Sequence, residues 1–399
     1  MTEPSVKPAR QAASVPFRLN EPEVAREPGE YYKDLLSRCP VAHSDTFDDG
    51  FWVISSYKEV YNASLNAEVF SSAGPVTIPA LPPPRVICIE QDDPEHRKYR
   101  RPLQGWFSVK RMMALEPSLR SVVGSLLDEI VEDGQADMAE VFANPFPTMA
   151  IAVILGLPEE EWTWFREKAM ARTRLTQEGD LVGAAAAHAD ILARLSDGIE
   201  ERRAQPREDM LSDIAGLLID DEPIDHDDAV SLAFLLLGAG VETTASGIGG
   251  LLYRVAGDPK LRDQLLADPA LIEIAVEESL RIESPFPGLA RTTTAASTVD
   301  DVSIGAGERV MLMFGAANRD PDMFEDPDEF RLDRSNVHKQ VGFGAGIHRC
   351  VGAPFARLQM QIALEEILRR MPGIQLADRD GVKVSWTTSR EFNVLECSW

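Results

Sequence analysis

This 399-residue sequence predicts a mainly α-helical, single-domain fold with small β-sheets. Three observations carry that expectation. Helical apolar spacing dominates from about Pro94 to Ile282. Within it, an apolar stretch from about Ala229 to Ala256 is long enough for a helix of roughly 45 Å, which would cross a whole domain. The remaining patterned segments are short, strand-like and bounded by turn residues.

Composition supports one large core and restricts the partners. Hydrophobic residues make up 44% and charged residues 26%. The net charge of −25 argues against nucleic acid or an anionic membrane as the main partner. The opening MTEPSVKPAR has no apolar run, so no signal peptide is read. Glu242, Arg254 and several glycines interrupt the stretch 229–256, which suits a buried helix better than a membrane span. Cys39, Cys88, Cys350 and Cys397 are scattered without a CxxC pair, as expected in a reducing cytoplasm.

Along the chain, residues 1–22 read as a flexible tail and 23–399 as one domain. FWVISS (51–56) is strand-like. The segment 74–87, GPVTIPALPPPRVI, carries five prolines and reads as a long ordered loop. Asp225, Asp227 and Asp228 suit the start of the long helix. Its Gly238 and Gly240 each cost about 1 kcal/mol relative to Ala, so a local groove or distortion is expected there. Strands follow over 292–299 and 308–314, then an irregular stretch over 318–334. A helix over 351–370 and a hairpin turning at Asp380-Gly381 close the chain.

The most informative string is FGAGIHRCVG, Phe343 to Gly352. Gly344 and Gly346 allow backbone conformations closed to other residues. Cys350 precedes a helical pattern with Pro354 in its first turn, and a helix N-terminus favours thiolate over thiol. A buried, inert cysteine or an anion-binding turn would also fit these residues alone. The whole string, however, matches FxxGxxxCxG at every fixed position. It resembles the haem-binding loop of bacterial, soluble, ferredoxin-dependent cytochromes P-450. The resemblance implies haem b as cofactor, with Cys350 as the axial thiolate on iron and Phe343 and Gly352 beside it.

Further residues match the same family. Glu278 and Arg281 in EESLR share a helix face; alone they would be a solvated salt bridge, but they match the family's structural ExxR pair. In the family's PERF-like segment, here PDEFRLDR, Glu329 stands where an Arg is often found. The third member of the network is therefore open between Arg331 and Arg334. LLLGAGVETTAS resembles the oxygen-binding AGxET motif: Ala239 and Gly240 would leave room for O2, Thr243 would hydrogen-bond O2 and its water, and Glu242 would relay protons. The helix alone also allows Glu242 to face solvent and Thr243 to bond back to a carbonyl. His96, Arg100, Arg291 and His348 match positions where the family places partners of the haem propionates.

The implied activity is insertion of one oxygen atom of O2 into a small hydrophobic substrate by a cytoplasmic, monomeric enzyme. The expected pocket lining is Val86, Ile87, Leu235, Gly238, Phe286, Pro287 and Leu289. A peroxide-driven peroxygenase and a haem-thiolate sensor or carrier are the competing readings. Residues 96–111 hold six Lys/Arg and no acid, whereas 208–228 hold nine Asp/Glu. This segregation predicts a basic docking surface, including Lys98, Arg101, Lys110 and Arg349, for an acidic 2Fe–2S ferredoxin supplied by its reductase.

Overall fold

The computed structural model describes residues 13–399 apart from positions 39, 48, 81–85, 178–179 and 387. The helices that frame its centre are α1 (Glu95–Gln104), α2 (Val109–Asp128), α3 (Pro145–Leu155), α4 (Glu159–Gln177), α5 (Leu181–Ala204), α6 (His226–Gly257), α7 (Ile272–Glu283) and α8 (Ala353–Arg370). Apolar residues on all sides of a helix require partners all round. The 32-residue α6 has them: α3, α5, α7 and α8 pack against it. The Asp225 side chain accepts from the amide of Asp227 and caps its start.

Gly238 and Gly240 are accommodated without interrupting α6. A Cβ on Gly240 would lie 2.4 Å from Cδ1 of Ile151 in α3, so close helix contact requires glycine there. A Cβ on Gly238 would meet nothing within 4 Å. Of the two expected explanations, open space beside the helix is the one found.

The main sheet has six strands: β1 (Ala13–Ser14), β2 (Val41–Ser44), β3 (Phe51–Ile54), β4 (Phe70–Ser71), β5 (Leu289–Thr293) and β6 (Arg309–Leu312). Their order is β1-β2-β3-β6-β5-β4, parallel at β1–β2 and β3–β6 and antiparallel elsewhere. Segment 292–299 resolves into the end of β5 and a separate strand, Ser297–Val299. Residues 318–334 are irregular.

Two expectations require correction. The tail was expected to be flexible to residue 22, but residues 13–22 are built into the fold. Ala13 and Ser14 pair with β2, and Val15, Phe17 and Leu19 are buried. Their alternating apolar pattern belongs to a sheet edge, and of the expected tail only residues 1–12 lie outside the described residues. The hairpin at Asp380-Gly381 does not form either. Residues 380–381 make a turn, but the strand before it, Gln375–Leu376, pairs with Glu396–Ser398. The strand after it, β7 (Lys383–Trp386), pairs with β8 (Arg390–Val394). Local turn chemistry was right, and long-range pairing decided the partners.

A buried ion cluster joins the two ends of the chain. Glu283, at the end of α7, receives Arg254 from α6 at 2.5 Å and Arg390 from β8. Arg390 also donates to the carbonyls of Ala25 and Arg26, the latter at 2.6 Å.

Candidate active site

The Cys350 loop is shaped by glycines. Gly344 and Gly346 have φ of +68° and +70°, and a Cβ on Gly346 would lie 2.2 Å from the Ser64 carbonyl oxygen. No other residue fits that approach. The Cys350 amide donates to the Phe343 carbonyl at 2.9 Å, closing the loop just before α8. Burial raises the Cys350 thiol pKa. The amides of Gly352 and Ala353, together with Arg100 and Arg349, oppose that effect and favour the thiolate.

Four basic residues converge beside this loop. The rings of His96 (α1) and His348 stand 4.3 Å apart. Arg100 reaches the Arg349 carbonyl, and buried Arg291 (β5) donates to the Ala290 carbonyl at 2.7 Å. Burial disfavours the charged form of each. It lowers the pKa of His96 and Arg100, brings Arg291 down to about 10 and, with Arg291 and His96 as positive neighbours, brings His348 to about 3. Nε2 of both histidines and Nε of Arg100 are buried without a hydrogen-bond partner. Such a group is costly unless an acceptor reaches it.

In mid-α6, Ala239 is exposed and residues 240–243 are half-buried, although the helix is packed on both sides of them. The Thr243 hydroxyl donates to the Ala239 carbonyl at 2.8 Å, which leaves its lone pairs free to accept a proton donor. Glu242 pairs with Arg172 of α4 at 3.1 Å. Burial and then Glu391 raise the Glu242 pKa, and Arg172 pulls it back. Arg172 was not foreseen: one charge on a helix with no partner in sequence reads as solvent-facing.

Behind the loop, Glu278 and Arg281 form a fully buried two-pronged pair at 2.7 and 2.8 Å. Arg334 completes it, with Nε 3.0 Å from Glu278. Arg331 gives only its backbone amide to Glu278 and turns its guanidinium outward to Glu325, Asp326 and Asp333. Arg334, not Arg331, is the third member.

The sequence model of the Cytochrome P450 family matches residues 181–372. Cytochrome P450 130 of Mycobacterium tuberculosis is 32% identical over 378 residues, spanning 91% of this chain and 92% of that protein. This chain belongs to the cytochrome P450 family. The steroid C26-monooxygenase of Mycolicibacterium smegmatis is also 32% identical, over 90% of this chain and 92% of its own length. The structure of a point mutant of the mixed-function P450 MycG in complex with mycinamicin IV superimposes with a TM-score of 0.88 at 29% identity, covering 98% of this chain and 100% of that one. The fold is therefore the P450 fold, the enzyme is a P450 monooxygenase, and the family's cofactor is haem with an axial cysteine thiolate.

The residues present fit that cofactor. Haem carries two carboxylates, and the unpartnered nitrogens of His96, Arg100 and His348, with Arg291, supply donors for anions next to Cys350. In this P450 Val86, Ile87, Leu235, Phe286 and Leu289 are half-buried and Pro287 is buried. Ile87 and Leu235 lean on the main core, whereas Leu289 packs on the smaller cluster that includes Leu312 and Phe314.

The expected charge segregation fails in part. Lys98 pairs with Asp220 at 2.6 Å and with Glu95 at 3.1 Å, and Arg111 lies 3.4 Å from Glu208. The acidic segment folds against the basic one and neutralises part of it. Arg334 is buried and Arg357 pairs with Glu277. Of the expected surface residues, Arg101, Lys110 and Arg349 remain exposed, with no ion pair among the described residues.

Proposed function

We propose that this P450 hydroxylates a small hydrophobic substrate, with Cys350 as the haem ligand and an acidic ferredoxin as electron donor. The observation that carries this reading is the set of unpartnered buried nitrogens on His96, Arg100 and His348 gathered beside Cys350. Haem held there supplies activation of O2 and transfer of one oxygen atom, so that substrate, O2, two electrons and two protons give alcohol and water. The chain's own groups do the rest. Arg100, Arg291, His96 and His348 orient the propionates. Gly238 leaves room beside α6, and Thr243 accepts a hydrogen bond from water on that side. Glu242, with a raised pKa and a half-exposed position, carries protons inward from solvent.

That acid–alcohol pair favours O2 over peroxide as oxidant, because only the O2 reaction consumes delivered protons. It also weighs against a ligand sensor, which needs no proton path. Arg101, Lys110 and Arg349 form the reduced docking surface, and Lys98 contributes less than its sequence position suggests. The apolar α6, long enough to cross a bilayer, is packed within the core, in keeping with a cytoplasmic enzyme.

Turnover tests the reading. The purified holoprotein, a plant-type 2Fe–2S ferredoxin, its reductase and NADPH are incubated with a panel of terpenoids, steroids and aromatics. Substrate-stimulated NADPH oxidation with hydroxylated product is expected. Product formed only with hydrogen peroxide would assign a peroxygenase, and no product under either condition would leave the sensor.

A further inference from the structure

Glu90 sits between the proline-rich segment and α1. It is 8% exposed and has no cationic partner among the described residues. Its two carboxylate oxygens accept from two separate stretches of backbone, the Val76 amide at 3.3 Å and the Val86 amide at 2.9 Å. The Glu90 amide in turn donates to the Val86 carbonyl at 2.9 Å. One residue therefore holds both backbone groups of Val86 and fastens them to Val76.

The two ends of this clamp differ in what else secures them. Val76 is anchored to the main sheet: the Ala290 amide donates to its carbonyl at 2.7 Å, and Arg309 reaches the carbonyls of Pro75 and Thr77 at 3.1 and 2.6 Å. Val86 has both of its backbone hydrogen bonds on Glu90. The neighbouring turn is closed within itself, with Cys88 at φ +67° donating to the Gln91 side chain at 2.8 Å. The backbone of Val86 is thus tied to the sheet through one carboxylate, while the Ile87 side chain leans on the main core.

We infer that Glu90 is a positioning residue that sets the pocket wall formed by Val86 and Ile87, and with it the size of molecule the pocket accepts. This rests on the reading of the Cys350 site as a haem site. The carboxylate is suited to the task because both oxygens accept. In Glu90→Gln one acceptor becomes an NH2 facing a backbone N–H, so one arm of the clamp opens. Glu90→Ala opens both.

Imidazole and phenylimidazole, which ligate haem iron through nitrogen and shift its Soret band, serve as small and large probes of the wall. Glu90→Gln is expected to weaken phenylimidazole binding about tenfold, the loss of one charge-assisted hydrogen bond's worth of positioning, and to leave imidazole within about twofold. Glu90→Ala should widen that gap. Amide hydrogen exchange in peptides covering Val76 and Val86 should quicken in both variants, with or without haem. If Glu90→Gln does not accumulate, Glu90→Asp, which keeps the charge but shortens the reach, should show the same split. Unchanged affinity for both probes, or equal weakening of both, overturns the inference. A wild-type protein with no thiolate-type CO spectrum would instead overturn the haem reading beneath it.

Discussion

The imidazoles of His96 and His348 lie ring to ring at 4.3 Å, each with a buried Nε2 that nothing in the protein satisfies. Two buried ring nitrogens without a partner are a costly arrangement for the protein alone and a favourable one once a carboxyl group arrives to share a proton with them. His96→Leu should therefore speed haem loss by roughly tenfold to a hundredfold, from about 1.5–3 kcal/mol for a charge-assisted hydrogen bond. Transfer of haem to excess apo-globin measures it. An unchanged rate would mean that these nitrogens do not hold the propionates.

Cys350→Ser should abolish the strongly red-shifted Soret band of the reduced, CO-bound protein, because an alcohol does not replace a thiolate as donor to iron. Persistence of that band would assign the ligand to another residue.

Thr243→Ala should retain substrate binding and reduction of the haem while diverting electrons into hydrogen peroxide. Glu242→Gln should slow turnover with coupling largely kept. The ratio of product to NADPH consumed, measured beside peroxide release, separates the two. A Thr243→Ala enzyme with wild-type coupling would remove the hydroxyl from proton delivery.

The triad behind the loop gives a stability prediction that discriminates between two neighbours. Arg334→Ala leaves the Glu278 carboxylate short of one partner in a site with no solvent, and should cost about 3–5 kcal/mol. Arg331→Ala removes exposed pairs and should cost about 1 kcal/mol or less. Urea unfolding followed by far-UV circular dichroism reads both. Equal losses would contradict the buried geometry.

Electron transfer from an acidic ferredoxin should slow as salt rises, since exposed charges are screened over about 10 Å at roughly 0.1 M. Arg349→Glu and Lys110→Glu should each slow it further at constant substrate affinity. Lys98→Glu should have the smaller effect, because Glu95 and Asp220 already engage that side chain. Stopped-flow reduction under CO checks the order, and indifference to salt and to all three reversals would rule the surface out.

The parts of the candidate site that can be read from the sequence are those written in contiguous strings that resemble the family's motifs. FGAGIHRCVG, EESLR and AGVETT each place their residues within one turn or one loop, so spacing alone brings them together. What was not legible depends on pairs distant in sequence. Nothing in PDEFRLDR tells which arginine turns inward; the choice is made by a carboxylate 56 residues earlier. Lys98 reads as free until a segment 122 residues away folds against it. Asp380-Gly381 has the composition of a hairpin turn, but the pairing of Gln375–Leu376 with Glu396–Ser398 outweighs local preference. Arg172 and Glu90 carry no motif at all.

The junction between the two ends of the chain has a consequence for how the protein is made. Phe17 packs on Trp386 with ring centroids 5.0 Å apart, and Arg390 grips the backbone at Ala25 and Arg26. A ribosome emits the first residues long before the last. Val15, Phe17 and Leu19 thus share a cluster with residues made soon after them, such as Phe51 and Val53, but Trp386 joins it only late in synthesis. Until then the part of that cluster that Trp386 covers stays open on the nascent chain. The grip of Arg390 on Ala25 and Arg26 is therefore made late, after the segment's own partners in β2 and β3 are available.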